Sequence, residues 1–274
     1  MYNNKKMNDI KNENGYNIIN NDQNYIVTEI YIEEKDINKK IRILNSFEEY
    51  KRNNKVWWME KEDYNKYENE QEIKENIEIY INENKIEFSY YYTFNNKGKY
   101  NIKYKFKTLL TKTCFMFIGC DSLINIDLSN FNTQNVINMS CMLSECKSLI
   151  NINLSNFNTQ NVIDMSEMFC KCESLINIDI SSFDTQKVVD ISGLFGDCYS
   201  LKNIDLSNFN TQNIKDMRSM FIGCKSLSKV NLSNFTTQND TDISFMFVDC
   251  PLLKKENIIT KNNKILDCFE PSYQ

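Results

Sequence analysis

Residues Cys146–Phe169 read "CKSLININLSNFNTQNVIDMSEMF", and the chain writes nearly the same line four more times. Cys120–Leu143 is "CDSLINIDLSNFNTQNVINMSCML" and Cys198–Phe221 is "CYSLKNIDLSNFNTQNIKDMRSMF". Six cysteines, at Cys120, Cys146, Cys172, Cys198, Cys224 and Cys250, hold a 26-residue interval without insertion or deletion. A fixed period of this length marks a repeat architecture, each repeat being one coil stacked on its neighbours.

Aligning the coils separates what the structure holds constant from what it lets vary. Leu123, Ile126, Leu128 and Phe131 recur as apolar residues in all five coils. The L-x-x-I-x-L spacing predicts a short strand whose apolar side faces inward, and stacked coils would align these strands as a parallel sheet. In the second half, Val136, Met139, Met142, Leu143 and Cys146 fall three and four apart, which predicts a short helix. Ser140, Ser166, Ser192 and Ser244 stand where its N-cap would be. A second short strand through "NVIDMS" is the alternative for that segment. "NTQN" between the halves is a turn whose side chains bond their own backbone. The expected fold class is therefore α/β: a solenoid of 26-residue coils, each a strand, a turn and a short helix, preceded by a small β-rich domain.

Outside the repeat the pattern changes on both sides. "LLTKTCFMFIGC" (Leu109–Cys120) matches only the second half of a coil, a leading half-repeat. After Cys250 the pattern decays into charged sequence, as the polar end of a stack requires. Residues 1–24 are polar and expected to be a disordered tail. From Tyr25, alternating stretches such as "YIVTEIYIE" and "IEIYINENKIEFSYYYTF" predict strands, with "NEN" at 82–84 as a hairpin tip. "NSFEEYKRNN" predicts one short helix. Trp57 and Trp58 are expected to divide between core and surface. The expected organisation is 1–24 tail, 25–106 β-rich domain, 107–250 repeats and 251–274 C-terminal cap.

Composition narrows the function classes. The 274 residues are 41% hydrophobic, enough to bury a core, with a net charge of −5 and a pI near 5.1. That balance argues against nucleic acid as a partner. The chain has no histidine, which removes the usual general base and the imidazole metal ligand. No secretory signal is read at the N-terminus and no apolar run is long enough to span a membrane, so a cytoplasmic location is expected from sequence.

The string L-S-x-F-x-T-x-x-V-x-D-M-S-x-M-F-x-x-C, followed by S-L-x-x-I-D, resembles the BspA-like leucine-rich repeat, from about Leu109 to Leu253. The resemblance implies a right-handed, leucine-rich-repeat-like stack. It also implies a surface or secreted protein acting in adhesion or protein binding rather than catalysis. An ordinary leucine-rich repeat places Asn or Cys where this chain has Phe131 and its equivalents. The turn there needs other hydrogen-bond partners, for which the flanking Asn130 and Asn132 are the candidates.

Two ladders are candidate chemistry. The cysteines sit in the apolar stripe of the second half, where a thiol behaves as a small hydrophobe. Without histidine or C-x-x-C pairs they do not read as a zinc site. The outward strand residues form the candidate binding face: Asn125, Asp127 and Ser129; Asn151, Asn153 and Ser155; Asn177, Asp179 and Ser181; Asn203, Asp205 and Ser207. Their carboxylates and amides suit a basic or polar stretch of a partner protein, or calcium; the bland alternative is a solvated face. A second acidic row, Asp164, Asp190, Asp216 and Asp242, is expected to serve local capping. Equivalent surroundings do not separate a catalytic acid from a base, so no catalytic residue, metal or cofactor is assigned. Two columns vary freely and are expected to face solvent: Asp121, Lys147, Glu173, Tyr199, Lys225, and Cys141, Glu167, Gly193, Ser219, Phe245. The function expected is protein–protein binding or adhesion; an intracellular scaffold or effector, or a simple spacer, are the alternatives.

Overall fold

A computed structural model describes residues 10–11, 17–18, 23–54 and 61–269. Most of the expected tail therefore lies outside the described residues, as do Trp57 and Trp58. Within the tail, β1 (Ile10–Lys11) and β2 (Asn17–Ile18) pair antiparallel.

The N-terminal unit follows its period-2 alternation. β3 (Tyr25–Ile32) buries Ile26, Thr28, Ile30 and Ile32 on one face. After it come β4 (Lys40–Arg42), α1 (Phe47–Asn53) and α2 (Glu70–Asn76). Ser46 caps α1, accepting the Glu49 N–H at 3.1 Å. Then β5 (Ile77–Ile81) and β6 (Asn84–Ile86) form the expected hairpin, with Asn82 and Glu83 at φ 45° and 67°. Two positive φ angles give the turn the twist of its strands. β7 (Tyr91–Thr93) pairs with β4, and β8 (Gly98–Phe106) lies between β3 and β5.

The sheet does not stop there. β9 (Leu123–Asp127), the strand of the first coil, pairs antiparallel with β3, and β10 (Asn151–Asn153) adds to it in parallel. The six-stranded sheet runs β10-β9-β3-β8-β5-β6 and crosses the sequence boundary at 106/107. The N-terminal unit thus covers the first coil's sheet edge with a strand of its own.

Each coil stacks on the next in 26-residue register: Asn151, Ile152 and Asn153 lie beside Asn125, Ile126 and Asp127. At the far end β11 (Asn203–Asp205), β12 (Lys229–Asn231) and β13 (Ile258–Ile259) form a second parallel sheet, after which α3 (Asn263–Asp267) closes the described chain. The result is a repeat fold with mixed sheets and few helices.

The short helix expected in each coil is not there. Among the described residues, 107–250 contain no helix. The "xMFxxC" segments are linked turns, and a single-residue parallel bridge runs Lys112–Asn138–Asp164–Asp190–Asp216–Asp242. In the first coil Met142, Ser144 and Cys146 donate N–H three residues back, to Met139, Cys141 and Leu143. The intervening Cys141, Leu143 and Glu145 donate instead to Ser166, Met168 and Cys170 of the next coil, at 2.8–3.0 Å. Turn bonds place apolar residues three and four apart, as a helix would, so spacing alone could not separate the two. The alternation needs a left-handed residue every fourth position, seen at Cys141 and Glu145 (φ 54° and 61°) and at Glu167 and Lys171 (53° and 58°). Ser140 and its equivalents accordingly cap no helix.

The core is a set of columns. Leu123, Leu128, Phe131, Val136, Met139 and Met142 are buried, as are nearly all their equivalents, while Ile152 and Ile178 are half-buried. Phe169, Phe195, Phe221 and Phe247 stack face to face with centroids 5.5–5.9 Å apart and planes within 7°.

Candidate functional site

The polar residues of each coil divide into those the backbone uses and those it leaves free. Three Asx turns bend a coil. In the first, Asp127 Oδ1 accepts the Ser129 N–H, Asn132 Oδ1 the Gln134 N–H and Asn138 Oδ1 the Ser140 N–H, all at 2.9–3.1 Å. The second coil repeats this through Asn153, Asn158 and Asp164, and the third through Asp179, Asp184 and Asp190. One oxygen suffices for each turn, which is why Asp and Asn interchange along a row. The Phe131 corner is met as the flanking residues suggest. Asn132 makes the turn, and residues equivalent to Asn130 tie coils together: Asn156 Nδ2 donates to Ser129 O (3.0 Å).

Buried threonines and cysteines form two further ladders. Thr159 Oγ1 donates to Asp184 O (2.9 Å) and accepts from Asp184 N (2.7 Å), and Thr133, Thr185 and Thr211 do the same one coil away. Cys146, Cys172, Cys198, Cys224 and Cys250 each point Sγ at a carbonyl of the preceding coil, at 3.0–3.3 Å. All ten cysteines are free thiols. Burial pushes Cys120 and Cys250 up to about 12 and the others of the ladder well above their usual range. A thiol so raised is not a thiolate nucleophile at neutral pH. The cysteine ladder is a core feature, and the threonine ladder is a structural device that sequence reading missed; its signal was an invariant Thr in every coil.

The twelve strand-face residues are not equivalent. Asn125, Asp127 and Ser129 lie half-buried beside β3, and Asn125 Nδ2 donates to Glu29 Oε1 at 2.8 Å. The other nine, Asn151, Asn153, Ser155, Asn177, Asp179, Ser181, Asn203, Asp205 and Ser207, are exposed or, for Ser207, half-exposed. Hydrogen bonds from Ser181 and Ser207, hydroxyl and backbone, hold the Asp179 and Asp205 carboxyls below the usual range. Among the described residues no three acidic or cysteine side chains gather closely enough to hold a metal ion. Beside the amide rows stand Ile150 (43% exposed) and Ile176 (39%), one coil apart, followed by Lys202. No turn or core contact requires an exposed isoleucine there.

Of the two variable columns, Asp121, Lys147, Glu173, Tyr199 and Lys225 are exposed or half-exposed. The other occupies the left-handed turn position. It varies in burial from Gly193, which is buried, to Phe245, which is 64% exposed. At the same position of the leading half-repeat, Phe115 is buried against Phe47, Tyr50 and Tyr67, with centroids 5.2–5.9 Å away. A cleft of about 460 Å³ opens where the N-terminal unit meets the first coils, lined by Tyr31, Lys40, Arg42, Tyr91, Ser122 and Ser148 among others. Arg42 stacks on the Tyr91 ring (4.5 Å) and donates to its hydroxyl, while its buried Nη1 has no hydrogen-bond partner among the described residues. Among the described residues no helix is long and apolar enough to cross a membrane.

Comparison with known proteins bears on the repeat rather than on a ligand. A search of solved structures matches the crystal structure of a T. pallidum leucine-rich repeat protein (TpLRR). The match has 19% identity over 60% of this chain and 78% of that one, with a TM-score of 0.36. No curated protein matches the chain. One family matches twice in overlapping register, over residues 83–200 and 142–260, which together take in more than half of the sequence and all five coils. The chain belongs to that family, described as Mycoplasma protein of unknown function, DUF285.

Proposed function

We propose that this chain is a non-enzymatic repeat protein that binds a protein partner across the strand face of coils two to four. We read the stack as a right-handed, leucine-rich-repeat-like solenoid of the BspA-like kind, acting in adhesion. The observation that carries the binding reading is the row Ile150 and Ile176, apolar and exposed beside Asn151, Asn153, Asn177 and Asp179. Apolar side chains set among amides are the composition of a recognition patch rather than of a solvated face. Asn153 and Asp179 also close Asx turns, and threonines and asparagines elsewhere in the coil tie neighbouring coils together. We read no catalytic role into the carboxylates, because one oxygen of each in the second row is already held by its Asx turn.

The test uses immobilised fibronectin, laminin and collagen with the full chain. The adhesion reading expects saturable binding to at least one of them, abolished by Ile150→Lys with Ile176→Lys and unchanged by Ile137→Lys with Ile163→Lys on another face. Loss only with the second pair would place the interface elsewhere. An antibody to the repeat should stain intact cells. Staining only after permeabilisation would sink adhesion in favour of an intracellular scaffold or effector.

A further inference from the structure

The stack is not uniformly bonded. On the turn side, coils two and three are joined by four backbone bonds of 2.7–3.1 Å, from Met165, Glu167, Phe169 and Lys171 to Asp190, Ser192, Leu194 and Gly196. Ile191, Gly193, Phe195 and Asp197 repeat the pattern into coil four. On the strand side the third coil stands apart. Leu128 donates to Asn153 O (3.0 Å) and Leu206 to Asn231 O (2.9 Å), but among the described residues the equivalent bonds from Leu154 and Ile180 are missing. No strand forms at 177–181, so the parallel ladder is divided into two sheets there. The bond from Lys202 to Ile176 O stretches to 3.3 Å, where Ile150 to Ile124 O and Ser228 to Lys202 O are 2.8 Å.

The sequence has a difference at the same place. Asn156 and Asn234 each donate an amide to the preceding coil, at Ser129 O and Ser207 O, and Asn208 reaches three carbonyls of coil three. In coil three this residue is Ser182, whose hydroxyl makes a single contact of 3.4 Å to Leu154 O. The threonine corner stays closed, with Thr159 Oγ1 still 2.9 Å from Asp184 O, so the opening is confined to the strand segment.

From these two observations we propose that the third coil is a hinge of the strand face. The turn-side ladder is its pivot, and Ser182 is the residue that releases it on the side of coil two, while Asn208 still ties coil three on the side of coil four. Opening and closing there changes the curvature of the strand face without breaking the core, because Leu154 and Ile180 remain buried in the closed columns. The inference concerns the motion of the fold and stands whether or not that face binds a partner.

Residue-resolved amide exchange on the full chain tests it. Leu154 and Ile180 should exchange about tenfold faster than Leu128 and Leu206, while Met165 and Phe169 on the turn side stay as protected as Leu206. Ser182→Asn, whose new amide would reach the Ser155 carbonyl, should slow Leu154 by about fivefold and leave Ile180, which faces coil four, unchanged. The converse change, Asn156→Ser, should speed Leu128 and keeps the test open if the first variant folds poorly. Equal protection at Leu154 and Leu128 overturns the hinge. Fast exchange on both sides of coil three replaces it with local unfolding, and no response to either variant removes the role of Ser182.

Discussion

The N-terminal unit and the coil stack reach the same end, sheet packed over an apolar core, by different hydrogen bonding. In the first, strands of up to nine residues pair backbone to backbone and a serine caps a helix. In the second, strands shrink to three to five residues, and side chains supply much of the bonding: Asx oxygens at the corners, threonine hydroxyls and asparagine amides between coils. A chain that turns sharply three times in 26 residues has too little regular backbone to satisfy itself, so the polar side chains are the scaffold. Substitutions that are mild in one region should therefore be severe in the other.

The largest expected effect is Phe195→Ala, which empties the middle of the aromatic column and should lose about 3–5 kcal/mol. Because each coil touches only its neighbours, urea unfolding followed by circular dichroism should split into two phases. The same truncation at Phe94, buried in the N-terminal unit, should lower a single transition.

Thr185→Val separates the two regions more finely. It removes a buried hydroxyl that both donates to and accepts from Asn210, and should lose about 1–3 kcal/mol in chemical denaturation. Thr185→Ser should recover most of that loss. Thr28→Val in β3 gives up a long 3.4 Å bond to Ile102 O and should lose about 1 kcal/mol.

The pH responses should have opposite signs. In the N-terminal unit the Arg52 guanidinium holds the Glu70 carboxyl down to about 2, with Lys74 and Tyr90 adding to it. That stability is present above the ordinary glutamate range and is lost as pH falls toward 2. Glu70→Gln should lose about 1 kcal/mol at pH 7, Arg52 being half exposed, and progressively less on acidification. In the stack, burial raises the Asp190 carboxyl, and Asp164 and Asp216 on either side push it the same way. A raised acid favours the neutral form, so its contribution is fully present below the unfolded-state value and is lost as pH rises through the raised one. Asp190→Asn keeps the turn, since Asn138 makes the same pair of bonds to Ser140. It should stabilise the chain by about 0.5 kcal/mol at pH 7, vanishing in acid, by thermal melts across the pH range.

Much of this was legible from residues alone. The period, the inward columns from Leu123 to Phe131 and the Asn82–Glu83 hairpin all rest on short-range chemistry that repeats or alternates visibly. The candidate face was readable as a set of outward positions, but its parts were not equal. β3, nearly a hundred residues upstream, half-covers Asn125, Asp127 and Ser129 and leaves coils two to four exposed. Nothing local to coil one announces that.

By itself the sequence determined the repeat, its register, its core columns and the turn at "NTQN", because comparison of five coils exposes the positions the stack cannot vary. Only the tertiary structure decided three things. It replaced the expected helix with turns, in which every second N–H finds its partner about 25 residues away. It joined the N-terminal unit to the first coil in one sheet. It opened the strand side at the third coil, where Ser182 stands in place of an asparagine. In each case the deciding hydrogen bond lies between segments distant in sequence, and a pattern read along the chain carries no signal for a partner it does not contain.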